Sequence, residues 1–79
     1  MLTPRQSEIQ AVIVRVFSGC MPAIAGNYRR VADAVGLRNS GDVLTELQAM
    51  RAKGVILSAG GPSRALPERW VVATHGGVQ

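Results

Sequence analysis

Val31-Ala32-Asp33-Ala34-Val35-Gly36-Leu37-Arg38-Asn39-Ser40 is the stretch on which the fold turns. Ala32 is small enough to let a following helix approach closely. Gly36, four residues on, has no Cβ and stands where a helix must end in a left-handed conformation. Val31 and Val35 lie one turn apart on a single face and are expected inward. The short turn Leu37-Arg38-Asn39 leads to Ser40, which can cap another helix, so the spacing predicts two helices meeting at a steep angle.

Working back from that corner, Asn27 is expected to cap the first of these helices, with Tyr28, Val31, Ala32 and Val35 on its apolar stripe. Nearer the N-terminus, Thr3-Pro4-Arg5-Gln6 has the T-x-x-Q spacing of a reciprocal cap with Pro at the first helical position. Ile9, Val12, Ile13, Val16 and Phe17 follow at helical spacing until Ser18-Gly19 stops the run. Met21 to Gly26 reads as a connector broken by Pro22, with Ile24 packing in part on the core.

Working forward, the helix capped by Ser40 turns Val43, Leu44, Leu47 and Met50 inward and closes at Gly54. The period then changes. Val55-Ile56-Leu57 reads as a strand, Gly60-Gly61-Pro62 as a loop and Trp70-Val71-Val72 as a returning strand, which together make a hairpin. The expected fold is mainly α with a small β-hairpin, a three-helix winged helix-turn-helix over residues 1–73, followed by a flexible tail over 74–79.

Seventy-nine residues suffice for one core and no second domain. Nine Lys and Arg against five Asp and Glu give a net charge of +4 and a pI near 10.7, a balance that suits a polyanionic partner. Cys20 is the single cysteine, so no internal disulfide and no zinc site can form, and a reducing compartment is expected. No apolar run approaches the roughly 18 residues of a membrane span, and the N-terminus lacks a signal-peptide layout. The expectation is a cytoplasmic protein with no membrane partner, metal or cofactor.

A helix-turn-helix corner lets one helix cross a DNA backbone while the N-terminal part of the next enters the roughly 12 Å major groove. Ser40 to Arg51 is then the candidate recognition helix, and the hairpin, with Arg64 and Arg69 in or near its loop, a second arm toward phosphates. The helix presents Asp42, Thr45, Glu46 and Gln48 outward. Asp and Glu can accept from cytosine, Thr can meet a thymine methyl and Gln can pair with adenine. Since these side chains carry no positive charge, phosphate affinity falls to Arg5, Arg29, Arg30, Arg38, Lys53 and Arg64.

The chain resembles the N-terminal DNA-binding domain of the LexA repressors of the bacterial DNA-damage response. The resemblance rests on Leu2-Thr3-x-Arg5-Gln6, Met21-Pro22, Ala32-x-x-x-Gly36-x-Arg38 and Ser63-Arg64 at the wing tip. Its most specific part is Leu47-x-Ala49-Met50-x-x-Lys53-Gly54-Val55-Ile56. By this similarity Asn39, Ser40, Gly41, Asp42, Thr45 and Glu46 face base edges, while Arg5, Gln6, Lys53, Ser63 and Arg64 face the phosphate backbone. Gly41 and Asp42 replace an asparagine followed by a small apolar residue in the family, and Thr45 replaces a glutamate, which implies a different operator. A few extra residues surround Ala23 to Gly26. Full repressors continue into a self-cleaving domain built on a serine and a lysine. Here the chain ends after the wing and Lys53 is its only lysine, so no enzyme activity is expected.

The expected partner is double-stranded DNA, bound by a homodimer on a two-fold site or together with a protein co-regulator, because one small domain makes few contacts. The alternative is a winged-helix protein-interaction module, which the acidic positions on the third helix would also suit. Among single residues, Trp70 and Tyr28 are expected to pack, and Cys20 to be a small, partly buried hydrophobe.

Overall fold

The computed structural model describes residues 2–60 and 68–73. Its elements run α1 (Pro4–Phe17), β1 (Cys20–Pro22), α2 (Ala25–Val35), α3 (Ser40–Ala52), β2 (Ile56–Ala59) and β3 (Arg69–Val72). This is a three-helix winged helix-turn-helix, the fold class that the spacing implied. The wing tip, with Ser63 and Arg64, and the expected tail over 74–79 lie outside the described residues.

The reciprocal cap opens α1 as expected. The Gln6 amide N–H donates to Thr3 Oγ1 at 3.1 Å, and the Thr3 amide donates to Gln6 Oε1 at 3.2 Å, each satisfying an amide the helix leaves without a partner. Ile9, Val12 and Ile13 are buried, with Phe17 packed against the core. Val16 shares their stripe but is 39% exposed, a correction to its expected inward place. At that end of α1 it is Phe17, one residue on, that packs against the core in its place.

The Met21 to Gly26 connector is corrected at its start: Cys20–Pro22 forms a strand on the edge of a three-stranded antiparallel sheet of order β1-β3-β2. Met21 pairs with Trp70 and is fully buried. Pro22 is tolerated because an edge strand has one side where no donor is needed. The expected two-stranded hairpin thus gains a third strand, which ties the N-terminal half of the chain to the wing. Inside and outside alternate along β3, with Trp70 and Val72 buried and Arg69 and Val71 half-exposed. By the same alternation Met21 takes the inward position and Cys20 falls outward beside Val71, so Cys20 is exposed rather than partly buried.

Two helix starts also differ from expectation. Helix α2 begins at Ala25, with Ile24 as its N-cap and no side-chain cap. Asn27, expected there, sits inside the first turn, and its Nδ2 donates to the Pro22 carbonyl at 2.9 Å. That bond fastens the helix to the end of β1, which makes Asn27 more useful one turn in. In helix α3 the N-cap position falls to Asn39, without a side-chain cap, and Ser40, expected there, is the first helical residue.

Gly36 ends α2 at φ 78°, and the next amide, Leu37 N–H, donates back to the Ala32 carbonyl at 2.8 Å. Gly54 ends α3 at φ 79° in the same way, with Val55 N–H reaching the Met50 carbonyl at 3.1 Å, a closing geometry that favours a residue without a Cβ. A Cβ on Gly36 would meet nothing within 4 Å, so Gly36→Ala carries only the backbone penalty of a left-handed residue. A loss of about 1 kcal/mol is expected, read as a lower urea midpoint with unchanged slope.

The core joins Ile9, Val12, Ile13, Met21, Val31, Ala32, Val43, Leu47, Met50, Ile56, Trp70 and Val72, so all three helices and all three strands contribute to it. Trp70 closes it over the sheet, and its Nε1 donates to the Tyr28 hydroxyl at 2.8 Å. Tyr28 thus packs, as expected, and also satisfies the buried indole. Tyr28→Phe leaves that N–H without its partner and is expected to cost about 1–3 kcal/mol. Trp70 fluorescence during urea unfolding measures it.

Candidate nucleic-acid interface

The helix-turn-helix corner is α2, the turn 36–39 and α3. One face of α3 is locked into the core by Val43, Leu47 and Met50. The opposite side leaves Gly41, Asp42, Thr45 and Gln48 exposed, with Ser40 and Glu46 half-buried along their margin and Asn39 exposed at the cap. The six residues assigned to base edges therefore lie at the N-cap and along the N-terminal half of one helix. Thr45 Oγ1 donates to the Gly41 carbonyl at 3.2 Å, a bond that sets the hydroxyl back toward the preceding turn and leaves its methyl group for apolar contact. Asp42 lies in the first turn of α3, where its charge also complements the positive end of the helix dipole.

The turn is braced from α2. Arg29 Nη1 donates to the Arg38 carbonyl at 2.9 Å, and Arg29 Nη2 pairs with Asp33 at 3.0 Å. The pair is more than half exposed on both sides and contributes little by itself, but it orients the guanidinium that holds the turn. Arg38 uses its backbone in this contact and keeps an exposed side chain.

Gln6, Glu46 and Lys53 come together, although they are far apart in sequence. Lys53 Nζ donates to Gln6 Oε1 at 2.7 Å, and Gln6 Nε2 donates to Glu46 Oε1 at 3.0 Å. Gln6 is buried at 4% exposure, whereas Arg5 beside it is half-exposed and pairs with Glu8 at 3.6 Å. The N-terminal turn of α1 is thereby fastened to the middle of α3 through Glu46 and to its C-cap through Lys53. Arg30 is set apart from this group, its guanidinium 6.0 Å from the centre of the Phe17 ring at the far end of α1.

Residue types and the family resemblance placed Gln6, Glu46 and Lys53 on DNA separately and missed that Gln6 joins the other two. The T-x-x-Q pattern revealed the local cap, but an amide has two polar groups, and nothing local shows where the second points. The brace from Arg29 to the turn was missed for the same reason. Among the described residues, no group of three or more His, Cys, Asp and Glu is placed to hold a metal, and no helix is long and apolar enough to cross a membrane.

The family described as LexA DNA binding domain matches residues 1–65. The chain belongs to that family. Within the LexA DNA-binding family, it is a domain that binds double-stranded DNA and serves transcription regulation, and the exposed α3 surface is the corresponding candidate for contact. The matched span takes in the helix-turn-helix, Lys53, β2 and the Ser63-Arg64 pair. Neither the curated proteins nor the solved structures gave a match.

Proposed function

We propose that the chain recognises a specific sequence by laying α3 in the major groove and the wing along the phosphate backbone. Asn39, Ser40, Gly41, Asp42, Thr45 and Glu46 face base edges in this reading, and Arg5, Arg38, Lys53, Ser63 and Arg64 face phosphates. The observation that carries it is the division of α3 into a buried apolar face and an exposed, short-chained polar face at its N-terminal end. Short side chains let the helix backbone approach the groove floor. Arg29 serves by holding the turn, and Gln6 by joining α1 to α3. Arg30 is free to steer the duplex at longer range.

Two copies on a two-fold site supply the affinity that one domain with so few cations lacks. The test is selection from a pool of random duplexes at two salt concentrations, comparing the original chain with Thr45→Ala and Arg5→Ala. An enriched motif is expected, relaxed at one base step by Thr45→Ala and bound more weakly at every sequence by Arg5→Ala. An inverted repeat in the motif, with two half-sites related by a two-fold axis, reports two copies. No enrichment, with binding indifferent to salt, would turn the same helix surface into a protein-docking face.

A further inference from the structure

Gln6 meets three partners at once: the Thr3 amide and Lys53 Nζ on its Oε1, and Glu46 on its Nε2. Among the described residues it is the one buried polar side chain. A neutral amide has a donor end and an acceptor end and so can serve a carboxylate and an ammonium together. Neither an acidic nor a basic side chain could do both.

The consequence falls on Glu46. A glutamate on a helix surface ordinarily samples several rotamers and loses that freedom when it binds. Here the bond from Gln6 Nε2 to Oε1 selects the carboxylate's position beforehand and occupies one of its two oxygens. Oε2 is left to meet a ligand, and an ionised carboxylate only accepts. In the major groove its match is an exocyclic amino group, N4 of cytosine or N6 of adenine, while the carbonyl oxygens of guanine and thymine repel it.

We propose that Gln6 is a positioning residue for base selection, holding Glu46 so that one step of the bound duplex must present an amino group. The inference rests on α3 reading bases. It assigns to Gln6 a role in specificity exercised through Glu46 rather than through phosphate.

The test sets the original chain, Gln6→Met, Glu46→Ala and the double variant against one randomised duplex pool at two salt concentrations. The original chain is expected to prefer cytosine or adenine at one step by about ten-fold. Glu46→Ala and Gln6→Met should each abolish that preference, the double variant should do no more than either, and the salt dependence should stay the same throughout. If Gln6→Met instead weakens all duplexes by one factor, or its effect adds to that of Glu46→Ala, Gln6 is a structural brace only and the inference is overturned.

Far-ultraviolet circular dichroism checks that the variants fold. Gln6→Glu supplies a second route, because it keeps the acceptor for the Thr3 cap while setting two carboxylates against each other. The single variant should lose the preference, and a Gln6→Glu variant that keeps it overturns the inference. Should the original chain enrich no motif, the reading of α3 fails and takes this inference with it. A motif indifferent to Glu46→Ala overturns the inference alone.

Discussion

Leu47→Ala is expected to remove about half of the protein's stability. Leu47 is fully buried at the middle of α3, between Val43 and Met50, where truncation loses both the transfer energy of the side chain and the contacts around the void. Such changes cost about 2–5 kcal/mol. A domain of 79 residues has a total of about 4–12 kcal/mol to lose, so the variant keeps about half of it at the centre of both ranges. Trp70 fluorescence and far-ultraviolet circular dichroism should show the urea midpoint falling to about half its original value with the slope unchanged. The same truncation at Leu57, which is 53% exposed on β2, should change stability by less than about 0.5 kcal/mol. Equal losses at the two sites would contradict the division between core and surface.

DNA binding by the original chain is expected to weaken about 100-fold when salt rises four-fold. Arg5, Arg38, Lys53 and Arg64 are the cations proposed to meet phosphates. Four such contacts in one copy give a logarithmic slope of about −3.6 on a duplex holding a single half-site, through counterion release. Fluorescence anisotropy with one labelled duplex at several salt concentrations measures the slope. Arg38→Ala should reduce it by about one unit, because the side chain is lost while the backbone carbonyl held by Arg29 remains. A flat salt dependence would place the interaction elsewhere than the phosphates and speak for a protein partner on α3.

The helices were legible because their signals act within one or two turns. Thr3 and Gln6 cap each other three residues apart, Gly36 closes α2 against Ala32, and Gly54 closes α3 against Met50. Edge strand β1 was not legible. Three residues ending in Pro22 resemble a connector, and their strand character comes from pairing with β3, whose Trp70 is far along the chain. Asn27 misled for a related reason: its preference for helix starts is local, whereas its actual partner is the carbonyl at the end of that hidden strand.

The candidate surface divides along the same line. Periodicity alone separates the buried Val43, Leu47 and Met50 from the exposed Gly41, Asp42 and Thr45, since a helix of known phase has only one inward stripe. Residue order therefore specifies three helices, the Thr3 cap, the glycine closures, the sharp corner and the outward positions of α3. It does not specify that Gln6 joins Lys53, 47 residues away, and Glu46, 40 away, or that Tyr28 receives the indole N–H of Trp70 at a separation of 42. A polar side chain has the same hydrogen-bonding capacity wherever it stands, and its partner is chosen by which surfaces the packed helices and sheet bring within about 3 Å.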